Sequence, residues 1–213
     1  FEGAIEAKIV PYPNRAFMIE VLFDSHHPRL IEVMERSDKK PPTHFHPYQT
    51  EYFEVLEGRI IIEIEGKARI ITPADGEVDI KPWVHHRSYP APVTEQNITK
   101  FLMSGSVTKE NYPLDTVFFQ NWYGYQDQIV LYGEYPDPIQ VFSLFDGGGS
   151  CLSLPWYVPF GKTISMYFLN IVIGRWIGGL LGYQPFHREW TNDWDTACQR
   201  MSNCIFQRRF ALN

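Results

Sequence analysis

Apolar and polar positions alternate through most of the first half of the chain. Segments 16–23, 51–57, 59–65, 68–72 and 98–103 place apolar residues two apart, the period of a strand with one face buried. Pro13-Asn14, Asp24-Ser25, Gly58, Gly66-Lys67 and Pro73-Ala74-Asp75-Gly76 punctuate them as turns. Segment 30–35 is read as a further strand and 37–42 as a loop. In 51–57, Glu51, Phe53 and Val55 share a face predicted to point inward, with Tyr52 and Glu54 outward. Short strands between regular turns predict an all-β sandwich or barrel.

Beyond residue 107 the period changes. Segment 113–132 reads as a helix with Gly124 in mid-run, 145–150 as a glycine-rich joint, and 192–210 as a helix capped by Thr191 or Asn192 with Arg208 and Arg209 in its last turn. The chain therefore divides into 1–107, a β barrel, and 108–213, a mostly helical extension. Segment 164–182 is nearly long enough to cross a bilayer. It carries Asn170 and Arg175 near its middle, and Gly174, Gly178 and Gly182 at every fourth position. Three readings stay open: packing on the protein or on a second copy in a homo-oligomer, lying in a membrane surface with Arg175 snorkelling, or a full span.

Composition narrows the partners. The 213 residues have a formal net charge of −6 with both signs scattered, which argues against a nucleic-acid partner. Aromatic residues make up 15%, which favours an apolar cavity for a small-molecule substrate. Cys151, Cys198 and Cys204 form no even framework, which reads as an intracellular, reducing compartment, with membrane association left to 164–182. The chain starts on Phe1 rather than Met, which reads as a start inside a longer chain, so targeting is left unread.

Chemistry concentrates in His44-Phe45-His46-Pro47-Tyr48-Gln49-Thr50-Glu51. Two histidines one residue apart on a strand share a face, and a carboxylate follows a short turn later. A further histidine stands in Lys81-Pro82-Trp83-Val84-His85-His86. Three imidazoles and a carboxylate form a site for a divalent metal. Fe(II) is favoured, with Mn, Ni, Cu and Zn as alternatives.

The spacing of His44, His46, Glu51 and Gly58 resembles the first motif of the cupin superfamily, and residues 81–86 resemble the second, with His86 at the ligand position and His85 as its neighbour and rival. The resemblance implies a jelly-roll barrel over about 15–105, with His44, His46, Glu51 and His86 as metal ligands. Asp38 and Trp83 stand where the family usually has glycine. The carboxy-terminal run from Trp176 to Pro185 resembles fungal cupin-domain proteins of secondary metabolism. The expected function is a metal-dependent enzyme acting on a hydrophobic, oxygen-bearing small molecule of polyketide, terpenoid or phenolic type. Oxygenation leads, ahead of a non-redox isomerisation or cyclisation and of a non-catalytic ligand-binding role. Glu51 and His85 are the candidate proton carriers. Phe53, Trp83, Arg87 and Tyr89 are the candidate substrate contacts.

Overall fold

The computed structural model describes residues 3–28, 30, 31, 40–92 and 98–212. They form two compact units, one comprising 1–45 and 49–107, the other 46–48 and 108–213.

The first unit is all-β. Its strands are β1 (Ile5–Ile9), β2 (Arg15–Asp24), β3 (His44–Phe45), β4 (Glu51–Glu57), β5 (Ile60–Ile64), β6 (Lys67–Ile71), β7 (Glu77–Ile80), β8 (His86–Pro90) and β9 (Ile98–Ser106). One sheet runs β1-β2-β9-β4-β7, and the other contains β3-β8-β5-β6. The pairs given a register are all antiparallel. Strands far apart in sequence lie side by side, β2 with β9 and β3 with β8, which is the rolled-up arrangement of a jelly roll. The alternation in β4 falls as the sequence predicts: Glu51, Phe53 and Val55 are buried, and Tyr52 and Glu54 lie between them half-buried. Ile60, Ile62, Ile71 and Ile80 are buried with them.

Two glycines are fixed by geometry. Gly58, with φ +73°, turns β4 into β5, and a Cβ there would meet Thr99 Oγ1 at 2.6 Å. Gly105 stands opposite Glu51 on β9, and a Cβ there would lie 2.4 Å from the Phe17 ring.

Segment 30–35 is not a strand where the structure describes it. The amides of Leu30 and Ile31 both donate to the His27 carbonyl, closing a helical turn. Pro28 explains this, because proline is pre-set for the first turn of a helix. Residues 32–35, and the expected glycine position at Asp38, lie outside the described residues.

The second unit is helical: α1 (Thr116–Tyr132), α2 (Pro138–Gly147), α3 (Gly161–Leu181), α4 (Trp194–Ser202) and a closing 3₁₀ segment (Arg208–Leu212). Asp115, Asp137 and Asp193 cap α1, α2 and α4 through their carboxylates. The glycine-rich stretch 145–150 is no free joint: Phe145, Asp146 and Gly147 are the buried end of α2. Gly148 packs against Phe118, and a Cβ there would lie 2.1 Å from the ring. The last predicted helix is shorter than its pattern, ending at Ser202 before turns and the 3₁₀ segment.

Within α3, Ile164–Gly178 winds as a π-helix, and Met166, Asn170, Gly174 and Gly178 form a buried row at every fourth position. The glycines of that row pack on α2. A Cβ on Gly174 would lie 2.5 Å from the Phe142 backbone, and one on Gly178 would lie 3.1 Å from Ile139. Gly182 is different: with φ +110° and nothing within 4 Å, it ends the helix. The other side of α3 leaves Tyr167, Phe168, Trp176, Leu180 and Leu181 exposed. By length and composition α3 is apolar enough to cross a membrane.

Candidate metal centre

Three structural devices aim the ligands. In the first, antiparallel pairing of β3 with β8 sets His44 directly opposite His86, with ring centroids 4.4 Å apart. In the second, β9 holds the start of β4. The Gln49 amide donates to the Ser106 carbonyl at 2.9 Å, and the Thr50 amide donates to the Ser106 hydroxyl at 3.0 Å. That clamp brings Glu51 in as the first inward residue of its strand. In the third, a four-residue turn, Lys81 to Val84, delivers His86. Proline is its second residue, and its third, Trp83, has φ +67°. That is the pattern of a type II turn, whose third position favours glycine. The glycine of the resembled motif therefore belongs to the turn's backbone. Trp83 adopts the same left-handed conformation at a cost of about 1–2 kcal/mol, offset by stacking on Phe45 at 5.5 Å.

The ligand atoms of His44, His46, Glu51 and His86 all lie within 4.8 Å of one another, with His46, Glu51 and His86 buried. The donor set fits a cation. His44 Nδ1 lies 3.1 Å from the Pro42 carbonyl and His86 Nδ1 lies 3.0 Å from the Val84 carbonyl. A carbonyl can only accept, so each Nδ1 carries the proton and each neutral ring offers Nε2 as its lone-pair donor. His86 Nε2 is 2.8 Å from Glu51 Oε2. A lone pair and a carboxylate oxygen at that separation repel unless a proton or a cation lies between them. In the metal-free chain burial pulls the His86 pKa down, yet the hydrogen bond and negative charge of Glu51 outweigh it and leave the pKa raised. A divalent ion would replace that proton.

The other sequence candidates fall in different places. Phe53 is buried and faces Phe101, with centroids 6.3 Å apart. His85 stands outside the four-ligand group; its ring meets the edge of Phe45 at 5.4 Å and its amide donates to Glu65. Arg87 and Tyr89 alternate with His86 along β8 and so project to the opposite face. Arg87 grips Glu63 with bonds of 2.8 to 3.0 Å, and the Tyr89 hydroxyl reaches the same carboxylate at 3.4 Å. Sequence reading missed the Gln49–Ser106 clamp. A glutamine two residues before an inward glutamate was the only signal for it.

The jelly roll and its histidine–glutamate cluster define a cupin. No protein-family model matches the chain. It is 45% identical over 213 residues to an oxidoreductase of Arthrobotrys oligospora, covering all of this chain and 83% of that one. It is 46% identical to a protein of Aspergillus niger described as Probable oxidoreductase yanE, over 99% of this chain and 82% of that one. It is 40% identical to Epoxidase atD of Aspergillus terreus, over 98% of this chain and 67% of that one. The chain belongs to this family of fungal oxidoreductases. Among solved structures, KdgF from Halomonas sp. aligns with half of the chain at 17% identity and a TM-score of 0.33, covering 83% of KdgF. A likeness of that size carries no weight beside the strand order itself.

Proposed function

We propose that this chain is a metal-dependent cupin oxidoreductase that acts on a hydrophobic, oxygen-bearing small molecule, with oxygenation as the reaction class. The observation that carries this reading is the group of four potential ligand atoms, from His44, His46, Glu51 and His86, within 4.8 Å of one another. The relative named as an epoxidase supports oxygen transfer over a non-redox rearrangement. A bound redox metal, Fe(II) first among the candidates, would supply the Lewis acidity and the one-electron chemistry that O₂ requires.

The protein's own residues do the rest. His44, His46 and His86 would hold the ion through neutral nitrogens, and the Pro42 and Val84 carbonyls fix two of those rings so that they cannot turn away. Glu51 would supply the one anionic ligand, and its carboxylate, 2.8 Å from His86 Nε2, would also serve as the group that takes a proton from a bound hydroxyl. Burial of His46, Glu51 and His86 keeps bulk water from the ligand atoms. Phe53, two residues from Glu51 on the same face, would give the substrate an apolar wall.

The test is metal analysis of purified protein followed by oxygen-electrode assays with hydroquinones and related phenols. Bound metal near one equivalent and oxygen uptake that follows Fe(II) loading are expected. Turnover of an iron-free preparation without oxygen uptake would move the reading to isomerisation.

A further inference from the structure

The side of α3 turned away from α2 is apolar from Tyr167 to Leu181. Positions two apart on a helix lie on roughly opposite sides. Phe168, Trp176 and Leu180 each stand two residues beyond a member of the buried row, Met166, Gly174 or Gly178, and are 53%, 45% and 60% exposed. The chain that leads into the helix adds Trp156 and Phe160, 95% and 82% exposed. Apolar surface that runs along one helix in this way marks an interaction site.

Charge decides what covers it. The chain has 25 Asp and Glu residues, yet none falls between Asp146 and Glu189. Cations stand at both ends of the face instead. Lys162 is the second residue of α3. Arg209 Nη2 donates to the Gly179 and Leu180 carbonyls, which places its positive charge at the far end of the helix, with exposed Arg208 next to it in sequence. The remaining charge of α3, Arg175, is held by Asp146. An apolar helix face with basic ends complements a lipid surface that carries negative headgroups. Trp156, Tyr157 and Trp176 suit the same boundary, because their rings have an apolar body and a polar edge.

The other occupants fit less well. In a two-fold pair of this chain the same patch meets itself, and basic ends would face basic ends with no carboxylate from residues 147–188 between them. A full span would need the whole helix surface in lipid. Gly174 and Gly178 are instead pressed on α2, and Arg175 is tied to it through Asp146.

We propose that this face docks on the surface of a membrane containing anionic lipid, with Phe160, Phe168, Trp176 and Leu181 entering the headgroup boundary and Lys162, Arg208 and Arg209 meeting the headgroups. The site is read from the second unit alone and needs no metal.

Cosedimentation of the full chain with vesicles tests the proposal, using phosphatidylcholine alone and phosphatidylcholine with about a third phosphatidylserine. Binding to the anionic vesicles is expected to be tighter by about tenfold or more. It should weaken between about 0.1 M and 1 M salt, as the screening length falls from about 10 to 3 Å. Arg208→Gln should lower affinity for the anionic vesicles by about fivefold and leave the neutral ones unchanged. The double variant Phe160→Glu, Leu181→Glu should abolish binding with an unchanged urea midpoint, since both side chains are exposed. Chelator-treated protein should bind as the untreated protein does, which keeps this result separate from the metal centre. No pelleting at about 1 mM anionic lipid, where even a marginal anchor of about 10⁴ M⁻¹ is bound, would overturn the proposal. So would equal binding to both vesicle types, undiminished binding of the double variant, or light scattering that shows a lipid-free dimer which the double variant takes apart.

Discussion

At the scale of single residues, chemistry and backbone make separate demands at adjacent positions of the second motif. His86 is at the ligand position, His85 packs on Phe45, and Trp83 bears the backbone strain of the turn that aims both. Trp83→Gly should relieve that strain and lose the Phe45 stack, two effects of about 1 kcal/mol each that nearly cancel. Denaturant midpoints should therefore barely move. Trp83→Val should fall by about 2 kcal/mol, because a β-branched residue tolerates positive φ worst. The clustering of His44, His46, Glu51 and His86 was legible in the sequence because the spacing within the first motif is a property of strands, whose side chains alternate strictly. The proton-holding carbonyls of Pro42 and Val84 were not, since main-chain groups leave no trace in residue identity.

At the same scale, Asp146 gives a pH signature. Burial pushes its carboxyl up to about 6, more than the attraction of Arg175 pulls it back. The folded state thus holds this proton more tightly than the unfolded chain does. Its contribution to stability is greatest below about pH 4 and is lost as the pH rises through about 6, then stays level. Compared with Asp146→Asn, the wild type should lose about 2–3 kcal/mol between pH 4 and 6. Parallel urea titrations across that window check it, and two curves that stay a constant distance apart would contradict it.

At the scale of elements, the strands were readable and several helix limits were not. Period two survives in β4 because one face meets the core and the other does not. The segment after Pro28 misled because Ile31 and Val33 are strong strand formers, while proline's fixed φ favours the helical turn that forms. Segment 145–150 misled because glycines that mark a flexible joint also permit close packing, and Phe118 occupies the space beside Gly148. The fourfold glycine spacing in α3 signalled a packing stripe that forms at Gly174 and Gly178, with α2 as its partner, and not at Gly182, which ends the helix. Arg175 in that apolar run was itself a clue, since a half-buried guanidinium favours a carboxylate partner, and Asp146 is the only one α2 carries. Gly174→Leu should drive a side chain into the Phe142 backbone and cost about 1–3 kcal/mol or more. Leucine at position 182, where nothing lies within 4 Å, should cost only the strain of a positive φ, about 1–2 kcal/mol. Thermal melts of the two variants should rank in that order.

At the scale of the whole molecule, the proposed metal binding would be linked to folding. Unfolding separates His44 and His46 from His86 by some forty residues of chain, so the unfolded chain cannot assemble the four-ligand group. Free metal at about a hundred times its dissociation constant should therefore stabilise the native state by about 2.7 kcal/mol. In a chain of this length that corresponds to a rise in Tm of about 5–10 °C. Chelation should reverse it, and Fe(II) or Zn(II) should restore it, because both imidazole and carboxylate ligands suit either ion. The two histidines of the second motif separate the explanations. His86→Ala should abolish the metal-dependent rise, whereas His85→Ala should keep it, since His85 lies outside the ligand group. Equal rises in wild type and His86→Ala would mean that the stabilising ion sits elsewhere. Equal loss in both variants would mean that the turn, and not the ligand, had been damaged.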